Sequence, residues 1–271
     1  EVVLEKSGIL NIGLEGMMLT SAFCAFYVCH LTGNPYAGLL TGLACGVLLA
    51  IISALLVLFM DSDQVVVGTG INLLALGVTG SFFVSVFGKT RQLISVETFP
   101  KFGDTLSLNL LMVFAILAPI LSWYLLWKTK WGLVVRGTGE SPHAIEMTGY
   151  SVIRIRLQTY LYAGFLAGIA GSYLTLAQTN TFAENMTAGR GFVVIAAVTF
   201  GGWSMLGAAF ACTLIAFSFG LQFQLKGTLP QIPYQMFDML PYLLALFVLA
   251  GAGRGRNAPA SLALPFRKLP T

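Results

Sequence analysis

The chain has 271 residues, 56% of them hydrophobic and only 10% charged, with a net charge of +4. A soluble domain carries about 25% charged residues, so this composition excludes a fold that covers its surface with polar groups. The apolar runs are long and continuous, without the alternation of an outer-membrane strand. What remains is an all-α polytopic membrane protein, because a backbone in lipid must satisfy its amides within its own helices.

The sequence opens on Glu1 rather than on a methionine, and one or more spans are expected to precede it. A first span is predicted over Leu10–Leu31, with Asn11, Gly13, Glu15 and Gly16 at its opening. Gly33-Asn34-Pro35 reads as a turn. Tyr36–Met60 is long enough to cross the roughly 30 Å hydrocarbon core. Asp61-Ser62-Asp63 is a tight polar connection, and Gln64–Gly88 a third span with Gly68, Thr69, Gly70 and Asn72 near its start. A polar loop over Lys89–Asn109 leads to a fourth span, Leu110–Trp127. Beyond the polar segment Lys128–Arg156, Leu157–Gln178 is rich in alanine and glycine, which lets helices approach closely in lipid. Gly191–Trp203 is apolar but short, Met205–Leu225 is long enough to span, and Met236–Ala252 is the last span before a basic tail, Gly253–Thr271. That makes about eight helices in a single transmembrane domain over 1–271. The pairs Gly68-x-Gly70 and Gly189-x-Gly191 each open an apolar run, a pattern expected of interrupted helices in an internal repeat.

Orientation follows from lysine and arginine. Counting Gly191–Trp203 as a span puts four spans between the central segment and the tail, and with both in the cytoplasm the inner side holds nine such residues: Lys128, Lys130, Arg136, Arg154, Arg156, Arg254, Arg256, Arg267 and Lys268. The outer side holds five: Lys89, Arg91, Lys101, Arg190 and Lys226.

The segment Lys128–Arg156 is the one strongly polar interior stretch, and it encodes a small helix. Ser141 is a good N-cap, Pro142 suits the first helical position, His143–Thr148 continue the turn, and Gly149 supplies a left-handed stop. A helix of about two turns cannot cross a bilayer and is marginal alone in water, so it is expected to dock on something. His143, Ile145, Glu146 and Met147 cover most of its surface, and Ala144 permits close approach.

Four other positions are candidates for a pathway. Asn11 and Glu15 lie one turn apart and either sit wet at the membrane face or open a broken helix that lines a cavity. Asn72 lies in an apolar run; its amide suits either a polar substrate edge or an interhelical hydrogen bond. Phe192 either stacks on a base or packs against lipid and core. No catalytic set is found. There is no glycine-rich Lys-Ser/Thr phosphate loop, His30 and His143 have no metal-ligand spacing, and Cys24, Cys29, Cys45 and Cys212 read as packing residues. Acidic residues are almost absent from the spans, which disfavours a secondary transporter coupled to protons.

The run Gly139-Glu140-Ser141-Pro142-His143-Ala144, followed by Gly149, resembles the cytoplasmic coupling loop of bacterial ABC-importer permeases. The branch is the one that serves branched-chain amino acids, ribose-type sugars and nucleosides. Its pattern is Gly-Glu-Asn-Pro-x-Ala-Ala-x-x-x-Gly-Ile, from which this chain departs at Ser141, Ile145 and Tyr150. The run Glu5-Lys6-Ser7-Gly8-Ile9-Leu10-Asn11-Ile12-Gly13-Leu14-Glu15-Gly16-Met17-Met18 is similar to the opening of the nucleoside-type permeases. Gly191-Phe192, Ile195-Ala196-Ala197-Val198 and Gly201-Gly202 are similar as well. The resemblance implies a permease subunit in a bacterial plasma membrane that forms the pathway for nucleosides, with ribose-like sugars or branched-chain amino acids as alternatives. It implies a second, homologous permease in a heterodimer, ATP-binding subunits that hold ATP and Mg, an extracytoplasmic solute-binding protein or lipoprotein, and surrounding lipid. It implies no cofactor on this chain and no nucleic-acid partner.

Overall fold

The computed structural model describes residues 1–88, 94–100, 109–228, 234–239, 243 and 258–266, and among them there are helices and turns but no strand. In chain order the helices are α1 (Val2–Glu5), α2 (Leu14–Thr32), α3 (Pro35–Phe59), α4 (Gln64–Phe87), α5 (Leu110–Lys128), α6 (Lys130–Glu140), α7 (Pro142–Met147), α8 (Val152–Tyr173), α9 (Arg190–Phe200), α10 (Met205–Thr228) and α11 (Tyr234–Asp238). A π-helical stretch, Leu174–Thr179, prolongs α8. Six of these elements are long and apolar enough to cross a membrane: Leu14–Thr32, Pro35–Phe59, Gln64–Phe87, Leu110–Lys128, Val152–Thr179 and Met205–Gln222. The chain is therefore a multi-pass membrane protein. The run predicted over Gly191–Trp203 appears as α9, a shorter apolar helix of 11 residues. Most of the run predicted over Met236–Ala252, and the basic positions Lys89, Arg91, Lys101, Arg254, Arg256, Arg267 and Lys268, lie outside the described residues.

The chain forms two compact units, Val3–Phe192 with Pro259–Thr271, and Val193–Ala258 with Glu1–Val2. In the larger, α2, α3 and α8 pack against one another and α4 lies on α2. Local chemistry starts each helix. The Asn34 side chain accepts from Tyr36 N–H with Pro35 at the first position, Asp63 accepts from Val65 and Val66 N–H, and Asn109 from Met112 N–H. These side chains satisfy amides that have no partner inside the helix.

Glycine sets how close the central helices come. Gly38, Gly42 and Gly46 recur at four-residue spacing on α3. A side chain at Gly38 would meet the Ala25 carbonyl of α2 at 2.6 Å, and one at Gly46 would meet the Gly164 carbonyl of α8 at 2.5 Å. Gly168 and Gly171 answer from α8, against Leu43 and Met18. Near one end of this bundle an aromatic core gathers Phe23, Phe26, Phe99 and Phe182, with the Phe23 and Phe182 rings edge to face at 5.2 Å. In the smaller unit, Ala197 and Phe200 of α9 pack on Ala211 and Ile215 of α10. The Gly201-Gly202 turn between them brings backbone against backbone at Gly207.

The polar segment Lys128–Arg156 is more ordered than a loop with one short helix in it. Lys130–Glu140 is helical in spite of Gly132, Gly137 and Gly139. Those glycines mark close contacts. A side chain at Gly132 would strike the Leu125 and Leu126 carbonyls, one at Gly137 the Ile145 side chain, and one at Gly139 the Lys6 carbonyl. The next span begins at Val152 rather than Leu157, so Arg156 belongs to α8 and is 2% exposed.

Candidate functional site

Three of the four residues predicted to line a pathway, Asn11, Glu15 and Asn72, meet at the opening of α2. The chain leaves α1 at Glu5 and does not resume a helix until Leu14. Across that break the backbone lacks the intrahelical partners of a continuous helix, so its polar groups must be met from elsewhere. The Leu10 N–H donates to the Gln64 side chain at 2.8 Å. Asn11, 2% exposed, turns back to accept from the Gly13 N–H at 3.1 Å. Asn72, two turns into α4, takes both roles. Its Oδ1 accepts from the Gly16 N–H at 2.8 Å, and its Nδ2 donates to the Ile12 carbonyl at 3.0 Å. Close approach makes this possible, because a side chain at Gly68 would lie 2.7 Å from the Gly13 nitrogen.

Glu15 closes the other side of the same turn. It is 7% exposed, and its carboxylate accepts from the Gly189 N–H at 2.8 Å and from the Gly191 N–H at 2.5 Å. The N-terminal amides of a helix such as α9 favour an acceptor of negative charge. Gly189 has φ +82, and a side chain at Gly191 would lie 2.6 Å from the Glu15 nitrogen. One glycine of each pair noted in the sequence lies against the α2 opening, Gly68 at Gly13 and Gly191 at Glu15, whereas a side chain at Gly70 or Gly189 would meet nothing within 4 Å. Phe192 follows Gly191 and is 47% exposed.

This arrangement binds backbone to side chain. Asn72, read as a substrate edge or a helix tie, has its amide engaged by α2. Asn72→Leu removes the partner of the Gly16 donor in the first turn of α2 and of the Ile12 acceptor in the break, a cost of about 1–3 kcal/mol for each group left buried. The expected result is a lower thermal unfolding midpoint of the purified chain. An unchanged midpoint would show that the tie contributes nothing.

The second candidate locus is the α6–α7 corner. Ser141 does not cap α7 with its side chain; its N–H instead donates to the Gly137 carbonyl and finishes α6. Pro142 starts the short helix, and Gly149, at φ +88, stops it as the sequence predicts. Ile145 points inward onto Gly137. The Glu146 carboxylate accepts from the Val152 N–H at 3.1 Å and so caps α8. His143, Ala144 and Met147 remain exposed, Met147 at 82%. Gly139 and Glu140 lie behind them at the end of α6, where Gly139 is buried and Glu140 exposed. Burial holds the nearby Lys6 ammonium below the usual lysine range, and the Glu140 carboxylate works against that shift.

Sequence reasoning missed three participants. Gln64 was read only as the first residue of a span and Arg156 as the end of the polar segment, and packing buries both. Gly189 was noted for its spacing, without a partner. Among the described residues no group of three or more His, Cys, Asp or Glu is placed to hold a metal ion.

The family model described as branched-chain amino acid transport system / permease component matches residues 1–249. The guanosine ABC transporter permease protein NupQ of Bacillus subtilis is 31% identical, over 98% of this chain and 90% of its own length. The nucleoside ABC transporter permease protein NupC of Lactococcus lactis is 32% identical, over 92% and 85%. The putative glucose ABC transporter permease protein TsgC13 of Haloferax volcanii is 35% identical, over 75% and 65%. No solved structure matches the chain.

Proposed function

The chain belongs to the family of branched-chain amino acid transport system permease components, and on that premise we propose that it forms the translocation pathway of an ATP-driven importer for nucleosides. The observation that carries the substrate class is the likeness, over nearly the whole chain, to permeases named for guanosine and for nucleosides. Family membership implies an ATP-binding subunit and a substrate-binding protein. In this reading ATP and Mg are held on the partner, this chain binds no cofactor or nucleic acid, a second homologous permease completes a heterodimer within the lipid, and the binding protein acts from outside. The central segment and the C-terminal end face the cytoplasm of a bacterial plasma membrane, in line with the excess of lysine and arginine assigned to that side.

Energy from a soluble ATPase can reach the spans only through a rigid part of the membrane chain. Helix α7 suits that role. Pro142 and Gly149 fix its two ends, Ile145 and Glu146 fasten it to α6 and α8, and His143, Ala144 and Met147 are left to enter a cleft on the partner. Met147 is the most exposed large apolar side chain of the corner. Met147→Asp puts a charge where an apolar contact is wanted, and a central contact of that kind is worth about tenfold or more in affinity. ATPase co-purification and uptake should both fall by about that factor, again on the scale of a buried interface anchor. Full retention of both would remove α7 from the docking surface. For the substrate, the reconstituted complex should take up radiolabelled nucleosides and not leucine or ribose. Uptake of leucine or ribose alone would overturn the nucleoside assignment.

A further inference from the structure

Residues 259–266, within what reads in the sequence as a basic tail, are a built part of the larger unit. Helix α6 ends at Glu140, so the carbonyls of its last turn lack intrahelical donors. The neighbouring Ser141 N–H serves Gly137, whereas the Thr138 and Gly139 carbonyls are served by a residue more than a hundred positions away. The Ser261 N–H donates to the Gly139 carbonyl at 2.8 Å. The Ser261 hydroxyl lies 2.7 Å from the Gly139 carbonyl and 3.1 Å from that of Thr138, and donates to one of them at a time. Ser261 is 6% exposed and Thr138 fully buried. Two residues on, the Ala263 N–H donates to the Gly8 carbonyl at 3.1 Å. Gly8 is itself required there, with φ +89 and no room for a side chain, which would begin 2.6 Å from the Ser261 hydroxyl. The guanidinium of Arg156 stands behind both segments, with Nε donating to the Ser7 carbonyl at 3.2 Å and Nη1 to the Leu264 carbonyl at 3.4 Å. Burying an arginine is costly unless its donors find acceptors, and Nε and Nη1 find theirs here. At the far end the Phe266 ring lies 5.2 Å from that of His143 on α7.

We infer that residues 259–266 are a strap that fastens the α6–α7 corner to the N-terminal segment, with Ser261 as the positioning residue that fixes it. The strap supplies from a distance donors for the two α6 carbonyls that the local cap at Ser141 leaves open. It also meets α7 on its His143 side, while Met147 remains exposed. Its consequence for transport rests on the proposed role of α7. A corner held only by its own two short connections would give under load, whereas one tied to Ser7, Gly8 and Arg156 moves with the base of α8.

The test uses the full chain in the assembled importer and reads two quantities. One is amide hydrogen exchange over residues 136–149; the other is ATP hydrolysed per nucleoside moved. Ser261→Ala removes the hydroxyl bond and should raise exchange across the corner about fivefold, the population change that one such bond controls. ATP use per nucleoside should rise with it. Ser261→Thr, which keeps a hydroxyl, should restore both. A chain ending at Ala258 should show the larger change; if it does not accumulate, the two Ser261 variants carry the test. Unchanged exchange in Ser261→Ala overturns the strap. Raised exchange with unchanged ATP use upholds the strap and overturns α7 as the coupling helix.

Discussion

Gly46→Val is expected to leave little folded chain in the membrane. The side chain would begin 2.5 Å from the Gly164 carbonyl and 2.9 Å from the Gly168 backbone, and neither can rotate away. Helices α3 and α8 would have to separate along their crossing. In lipid that separation is costly, because helix association rests on van der Waals packing and not on removal of apolar surface from water. Overpacking of a tight core costs about 1–3 kcal/mol, occasionally more, and several backbone atoms are struck at once. Against a total stability of about 5–15 kcal/mol, the yield of monodisperse protein and its thermal midpoint should both drop. Gly77→Val on α4 is the control, since a side chain there meets nothing within 4 Å. Equal behaviour of the two variants would mean that the α3–α8 crossing is not tight.

Glu15→Leu should be nearly as damaging, for a different reason. Both oxygens of the Glu15 carboxylate accept from backbone amides, those of Gly189 and Gly191. Hydrogen bonds to a charged group contribute about 1.5–3 kcal/mol each, and an amide left buried without an acceptor costs a similar amount. Leucine leaves both amides without their acceptor and fills space that Gly191 already crowds. Glu15→Gln keeps one acceptor oxygen and should fall between. Thermal midpoint and nucleoside uptake of the reconstituted complex provide the measurements. If Glu15→Leu matches the unaltered protein in both, the clamp between α2 and the Gly189–Gly191 segment has no structural role.

Where a feature of this protein depends on near neighbours, the sequence alone determined it. A membrane class follows from composition because lipid offers the backbone no hydrogen-bond partners. The turn at Gly33-Asn34-Pro35, the polar connection at Asp61–Asp63 and the stop at Gly149 use residues within a few positions of one another, and each is found where the sequence puts it. Ser141 shows the limit of such signals, because a hydroxyl suited to capping α7 goes unused when the same residue's N–H is taken to finish α6. Tertiary structure decided the rest. Asn72 and Glu15 were legible as polar residues in apolar surroundings, but their partners lie 56 to 176 positions away. The α3 glycines acquire meaning only from the α8 backbone that fills their groove. Arg156 reads as a loop cation until Ser7 and Leu264 are brought to it, and Ser261 reads as part of a tail until the open end of α6 is brought to it. A hydrogen-bond donor is written in the sequence, but its acceptor is a place in space, and only the folded chain brings the two within bonding distance.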